Sequence, residues 1–137
     1  MREQFGVGTL LIHDGRVLLL KRADNDEFQP GEWGLPAGGI EKGEKENKAA
    51  LREIFEEIGY RAKLEELRFV EKVDWQDDKE IIHFSIFRLD LEKGVEVRLD
   101  SSEHSESRWV KIEEIREIPR LIRNAYEVIE SAYKKSN

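Results

Sequence analysis

Two apolar runs rich in Val, Leu and Ile, residues 5–12 and 16–21, meet across His13-Asp14-Gly15. Asp-Gly between such runs is a strong hairpin signal, because both residues accept the left-handed backbone of a two-residue turn. The start of the chain is thereby committed to a strand pair, and every later element has to be reconciled with it. Residues 23–31, with Asp24, Asn25, Asp26, Pro30 and Gly31, read as a loop. Trp33-Gly34-Leu35-Pro36 reads as a short strand or strand end, and Ala37-Gly38-Gly39 as a turn with unusual backbone freedom.

Residues 45–58 read as a helix: Ala50, Leu51, Ile54, Phe55 and Ile58 recur at spacings of three and four, and Gly59 supplies the stop. Residues 67–75 and 80–91 read as two more strands with Asp77-Asp78 as the turn, and residues 107–111 as another short one. Ile112 to Ile115 is a short helical turn. Pro119 suits the first turn of a last helix running to about Ala132, with Leu121, Ile122, Ala125, Val128 and Ile129 on its inner stripe. Strands, a helix, more strands and a terminal helix predict a mixed, layered α/β or α+β domain. At 137 residues the expectation is one domain spanning 1–137, large enough to bury a core without staples.

Charge and composition narrow the function classes. Lys and Arg total 23 and Asp and Glu 30, for a net charge of −7. A net acidic chain is a poor binder of duplex nucleic acid or of an anionic membrane, and no apolar run reaches the roughly 20 residues of a membrane span. The N-terminal Met1-Arg2-Glu3-Gln4 has no signal-peptide core, so a soluble cytoplasmic protein is expected. There is no cysteine and there are only three histidines, so a bound metal must sit mainly on oxygen. A small anionic substrate remains compatible, because a divalent cation can bridge it to an acidic site.

The informative stretch is residues 38–60: Gly38, then Glu44, then Arg52-Glu53-Ile54-Phe55-Glu56-Glu57-Ile58-Gly59-Tyr60. Glu53, Glu56 and Glu57 are at i, i+3 and i+4 and share a helix face, which the pattern opposes to the Leu51/Ile54/Phe55/Ile58 stripe. Carboxylates so placed repel one another, and a hard cation such as Mg²⁺ or Mn²⁺ reverses the sign. Arg52 can pair with Glu56 and hold one carboxylate. A solvated Glu-rich face is the competing reading of any such helix. The glycines upstream and the single Arg weigh against it.

This spacing resembles the Nudix box, the signature of the Nudix hydrolase family. Gly38, Glu44, Arg52, Glu53, Ile54, Glu56, Glu57 and Gly59 fall on its fixed positions, while Tyr60 stands where an aliphatic residue is usual and Ala37 where many members have Gly. The resemblance extends over the whole chain and implies an α/β/α sandwich around a mixed sheet. It also implies hydrolysis of a nucleoside diphosphate linked to another group, with Mg²⁺, or alternatively Mn²⁺, as cofactor. Carried over by position, Glu53, Glu56 and Glu57 hold the metal. The backbone near Gly38 and the Glu44 carboxylate help at the near edge. Arg52 orients a glutamate, and Glu53 belongs with it to the catalytic group.

Glu103, six residues before Trp109, matches a loop glutamate of many members and is a candidate extra metal ligand or general base. Glu106 is the weaker alternative. Neighbouring His104 is expected to be an exposed loop residue, and His83 receives no role. Arg22, at a strand end, is placed like a basic residue that meets substrate phosphates in mutator-type members. Trp75 and Gln76 stand where ADP-ribose hydrolases tend to carry Pro, and Asp77 and Asp78 where dinucleoside polyphosphate hydrolases tend to carry Tyr.

The best match is therefore a MutT-like pyrophosphatase that converts a (d)NTP to the monophosphate and pyrophosphate. ADP-ribose, nucleotide-sugar and dinucleoside polyphosphate hydrolysis are the alternatives, followed by a non-catalytic nucleotide-binding module. Trp75, Phe28 and Trp33 are candidates for stacking a base, Trp33 fitting a core position better, and Asn124 for meeting a base edge from the last helix. The expected partner is a small-molecule nucleotide, with neither duplex nucleic acid nor membrane. Monomer and homodimer are both compatible.

Overall fold

The computed structural model describes residues 1–26 and 29–135, so Phe28 lies outside the described residues. The first hairpin forms as expected. Strand β1 (Arg2–His13) and strand β2 (Arg16–Arg22) are joined by Asp14 and Gly15, both with positive φ, 52° and 72°. Those angles suit the turn whose twist matches the flanking strands. Strand β3 (Trp33–Gly34) pairs with the end of β2, and strand β4 (Ala37–Gly39) pairs antiparallel with β1. Strands β5 (Leu67–Gln76) and β6 (Glu80–Asp90) form a second hairpin. β6 runs parallel to β1 from Arg2↔Glu80 to Ile12↔Asp90. Strand β7 (His104–Lys111) pairs antiparallel with β2. The result is a mixed sheet of path β3-β2-β1-β6-β5, with β4 beside β1 and β7 beside β2.

Period-2 alternation distributes the apolar runs to two faces. Leu11, Leu18, Leu20 and Leu89 meet Ile54 and Ile58 of helix α1 (Glu46–Ile58). Leu10, Ile12, Val17, Leu19 and Ile86 meet Ile129 and Ala132 of helix α2 (Ala125–Lys135). The first two strands read as continuous apolar runs because they are buried on both sides. The architecture is an α/β/α sandwich around a mixed sheet. Among the described residues, no helix is long and apolar enough to cross a membrane.

Four elements differ from the sequence expectation. Ala37-Gly38-Gly39, read as a turn, is strand β4: it finds a partner in β1 and neither glycine has a positive φ. Phe55 is not on the inner stripe of α1: it is 40% exposed, with the Arg61 guanidinium 4.2 Å from its ring centroid. The buried positions are Ala49, Ala50, Ile54, Glu57 and Ile58. Glu57 follows Ile54 at i+3 and therefore lies on the packed face, whereas Phe55 is turned about 100° away from Ile54. β7 begins at His104, three residues earlier than the apolar pattern shows, because its polar first half still has β2 to pair with. The last helix begins at Ala125 and not near Pro119. Arg120 and Asn124 adopt φ of 60° and 69°, which no α-helix contains. The segment before α2 is instead tied to the sheet: Trp33 N–H donates to Arg120 C=O at 2.9 Å, and Ile122 N–H to Trp33 C=O at 2.8 Å. Trp33 itself is buried, as a core residue.

Candidate active site

Helix α1 is capped at its C-terminus by Gly59, φ 78°, whose N–H donates to Phe55 C=O at 2.9 Å. Its glutamates therefore have fixed places. β4 runs along β1 in the register Gly8↔Ala37, Val7↔Gly38 and Gly6↔Gly39, which lays three consecutive backbone units against that helix face. Glu57 is 1% exposed, and its two oxygens accept the Ala37 N–H at 3.1 and 3.2 Å. Glu53 packs against Gly38 so closely that a Cβ there would lie 2.1 Å from the Glu53 carboxyl carbon. Only glycine fits at position 38, and the reason is room for a carboxylate.

Arg52 organises the remaining acids. Its Nε and one terminal nitrogen donate to the two oxygens of Glu44 at 2.8 and 2.9 Å. The other terminal nitrogen reaches Glu53 at 2.8 Å and Glu56 at 2.7 Å, and Gly39 C=O accepts at 2.8 Å. With Glu41 also 3.0 Å from its Nε, one planar guanidinium gathers four glutamates and the end of β4, a use that the fork of arginine suits and the point charge of lysine does not. The Arg52–Glu56 pair read from the spacing is present. Glu44, expected at the edge of a metal cluster, has both oxygens engaged by Arg52, and Glu41 N–H also donates to one of them at 3.0 Å. Those hydrogen bonds hold the Glu44 carboxyl down at about 2.

Burial acts in the opposite direction on the inner acids. It pushes Glu57 well above the usual carboxylate range, against the Ala37 N–H and with the help of the Glu53 and Glu103 charges. Glu53 is raised chiefly by burial too, opposed by its hydrogen bond to Arg52. Glu103 is exposed, and its backbone C=O accepts the Ala23 N–H at 2.8 Å, which ties its loop to the end of β2. The tie brings the Glu103 charge to Glu53 and Glu57. Glu106 lies instead 4.0 Å from Lys21.

His104 is the first residue of β7 and is buried, not exposed as its loop neighbourhood suggests; its Nδ1 has no partner among the described residues. Burial lowers it to about 4, with the Arg22 charge as the second cause. Arg22, opposite His104 across β2 and β7, is paired to Asp26 at 2.7 Å and keeps a buried Nε without a partner among the described residues. His83 faces away from the cleft described below, with Asp74 at 2.7 Å and Glu3 at 3.2 Å.

Gly38, Arg22, Trp75 and Asn124 all line a cleft of about 630 Å³, whereas Glu53, Glu56, Glu57 and Glu103 are not among its lining residues. Asn124 reaches it from the turn before α2 and not from the helix. Gln4, Glu80 and Arg123 line the same space, and no local motif in the sequence marks them. The Arg123 guanidinium lies 5.0 Å from the Trp75 ring centroid.

Among the described residues, no three acidic or imidazole side chains stand close enough together to hold an ion as they are. The donor set still fits a hard dication. Glu53, Glu56 and Glu57 offer only oxygen, and Glu57 is a buried carboxylate with no ion-pair partner among the described residues.

The NUDIX domain family model matches residues 2–132. A nucleoside triphosphatase NudI of Escherichia coli is 34% identical over 128 residues, spanning 84% of this chain and 86% of the relative. A MutT NUDIX hydrolase structure from Burkholderia pseudomallei superposes with a TM-score of 0.83 at 25% identity, covering 96% of this chain and 98% of that one. A MutT protein structure from Methanosarcina mazei superposes with a TM-score of 0.85 at 24% identity, covering 99% and 96%.

Proposed function

The chain belongs to the NUDIX domain family and is a Nudix hydrolase, and on that premise we propose that it cleaves nucleoside triphosphates to the monophosphate and pyrophosphate with a divalent cation, Mg²⁺ or Mn²⁺. The observation that carries this reading is Glu57. It is a buried carboxylate without an ion-pair partner among the described residues, close to the Glu53 and Glu103 charges and bonded to the N–H of Ala37, which lines a cleft that also holds the half-buried Trp75. A 34%-identical relative named as a nucleoside triphosphatase supports the substrate class.

Glu53, Glu56 and Glu57 would hold the cation, which when bound spreads the charge that develops on the phosphoryl oxygens. Arg52 keeps Glu53 and Glu56 in place, and Glu44 keeps Arg52 in place. Glu103 accepts a proton from the attacking water, and Arg22 meets the phosphate tail after releasing Asp26. Trp75 stacks the base, and Asn124 meets its edge.

The test is a panel of canonical and oxidised (d)NTPs, ADP-ribose, nucleotide sugars and dinucleoside polyphosphates with Mg²⁺, ranked by kcat/KM with products resolved. Triphosphates should lead and release pyrophosphate. A lead of more than about tenfold for ADP-ribose or a dinucleoside polyphosphate would overturn the triphosphate reading. Glu103→Gln should lower kcat far more than it raises KM; an effect no larger than that of Glu106→Gln removes Glu103 from the chemistry.

A further inference from the structure

Arg22 of β2 stands opposite His104 of β7, at a point where the ladder skips Ser105. An irregularity of this kind re-aims side chains, and such features recur next to active sites. Cross-strand partners keep their Cβ atoms about 5 Å apart on one face of the sheet, and the Arg22 charge reaches the imidazole. Arg22 Nε–H is buried with no acceptor, and His104 Nδ1 is buried with no partner, both among the described residues. The whole of His104 is only 5% exposed.

Each of these atoms destabilises the free protein, because a buried polar group without a hydrogen bond has given up its water for nothing. An apolar side chain at position 104 would avoid that cost. The backbone around the pair is tied: His104 N–H donates to Asp100 C=O at 3.0 Å, and Glu103 C=O accepts from Ala23 at 2.8 Å. The group that can turn is the Arg22 side chain, which lines the cleft and is held through Nη2 by Asp26 at 2.7 Å. Asp26 is not stranded when Arg22 leaves, since its other oxygen accepts the Gln29 N–H at 2.9 Å. Arg22 has only donors to offer, and a neutral imidazole has one acceptor to meet them.

We propose that His104 is a positioning residue for the phosphate-binding arginine: when a phosphate tail draws Arg22 away from Asp26, the turned guanidinium donates one N–H to His104 Nδ1 and presents another edge of its fork to the phosphate. The inference rests on the reading of Arg22 as a phosphate contact given above. The unpaired acceptor adds nothing to the free protein and one hydrogen bond to the bound one, and only a difference of that kind shifts the balance toward the bound state. Stability and tail binding should therefore respond to position 104 in opposite directions.

Calorimetry with tripolyphosphate and Mg²⁺ on the whole chain reads the tail without a base and without turnover. His104→Leu should bind tripolyphosphate about tenfold weaker, while its thermal midpoint near neutral pH holds or rises. His104→Asn, whose amide oxygen takes the place of Nδ1, should bind within about threefold of wild type. Arg22→Gln should weaken binding at least as much as His104→Leu, and the second change should add nothing in that background. With a nucleoside triphosphate, His104→Leu should raise KM with little change in kcat. Wild-type affinity in His104→Leu overturns the proposal, as do equal losses in His104→Leu and His104→Asn, or additive losses with Arg22→Gln. Tripolyphosphate that fails to bind the wild-type chain also overturns it, and turnover of triphosphates would then leave the triphosphatase reading standing. The expected binding pattern without turnover of any triphosphate has the reverse meaning. If His104→Leu fails to fold, His104→Phe, which keeps a ring at that position, takes its place.

Discussion

At one end of the site, behind the Ala37–Gly39 strand that lines the cleft, Glu44, Arg52, Glu53, Glu56 and Glu57 come from a single stretch, residues 44–57, and one guanidinium holds Glu44, Glu53 and Glu56 while Glu57 is held by the Ala37 N–H. At the other end, Gln4, Trp75, Glu80, Arg123 and Asn124 come from segments far apart in the chain and meet only through strand order and the turn before α2. The first end is set by helical spacing, so a change of residue type there acts on charge and chemistry. The second is set by the packing of the sheet, so a change there acts on fit. The two ends should therefore fail differently: the first through kcat, the second through KM and selectivity.

The largest effect is expected at Glu57. Glu57→Gln keeps an acceptor for the Ala37 N–H and removes a buried charge, so the thermal midpoint should hold or rise while kcat falls by about a hundredfold or more. Circular dichroism and kinetics on one preparation check this; loss of the fold would make Glu57 a structural residue. Chelation of the divalent cation should abolish turnover of the wild-type chain in the same assay. Gly38→Ala comes next. Its Cβ would overlap the Glu53 carboxylate, so Glu53 must move, with a stability loss of about 1–3 kcal/mol and a kcat loss of about tenfold or more. An active, fully stable Gly38→Ala would show that this close approach is not required.

Trp75→Ala sharpens the contrast from the open end. Losing a stacking face worth about 1–3 kcal/mol per base should raise KM about tenfold or more with a smaller change in kcat. A kcat loss without a KM change would contradict the division between the two ends. The smallest effect concerns pH. His104 sits at about 4 in the folded chain, below its ordinary 6.5, because burial disfavours the imidazolium. Its folded pKa is depressed, so the unfolded chain takes up the proton first, and the native state loses stability as pH falls from about 6.5 toward 4. Glu44, held at about 2 by Arg52, contributes stability that is complete above the ordinary carboxylate range and lost as pH drops toward about 2. Thermal midpoints of wild type and His104→Asn between pH 7 and 4.5 should converge as the pH falls. A constant gap would exclude His104 as the titrating group.

Local spacing made much of this protein legible from its residues. The Asp14-Gly15 turn, the helix stopped by Gly59 and the gathering of acids near Arg52 all follow from contacts within a few positions, which a linear pattern records. Burial was less legible. Glu57 and Phe55 exchange the places that charge and hydropathy suggest, because the sheet covers the face that includes Ile54 and Glu57 and leaves Phe55 outside. His104 is buried for a similar reason: β2 extends far enough to pair with it. The start of α2 was decided by the left-handed conformations of Arg120 and Asn124 and by the backbone bonds that tie Arg120 and Ile122 to Trp33 of β3. Residue type and spacing determined the hairpin, the helix and the acid cluster, since these depend on neighbours along the chain. The depth of Glu57, the position of Glu103 and the meeting of Gln4, Glu80 and Trp75 were decided by tertiary structure alone. They depend on which strands lie side by side, and the parallel pairing of β1 with β6 joins residues nearly eighty positions apart.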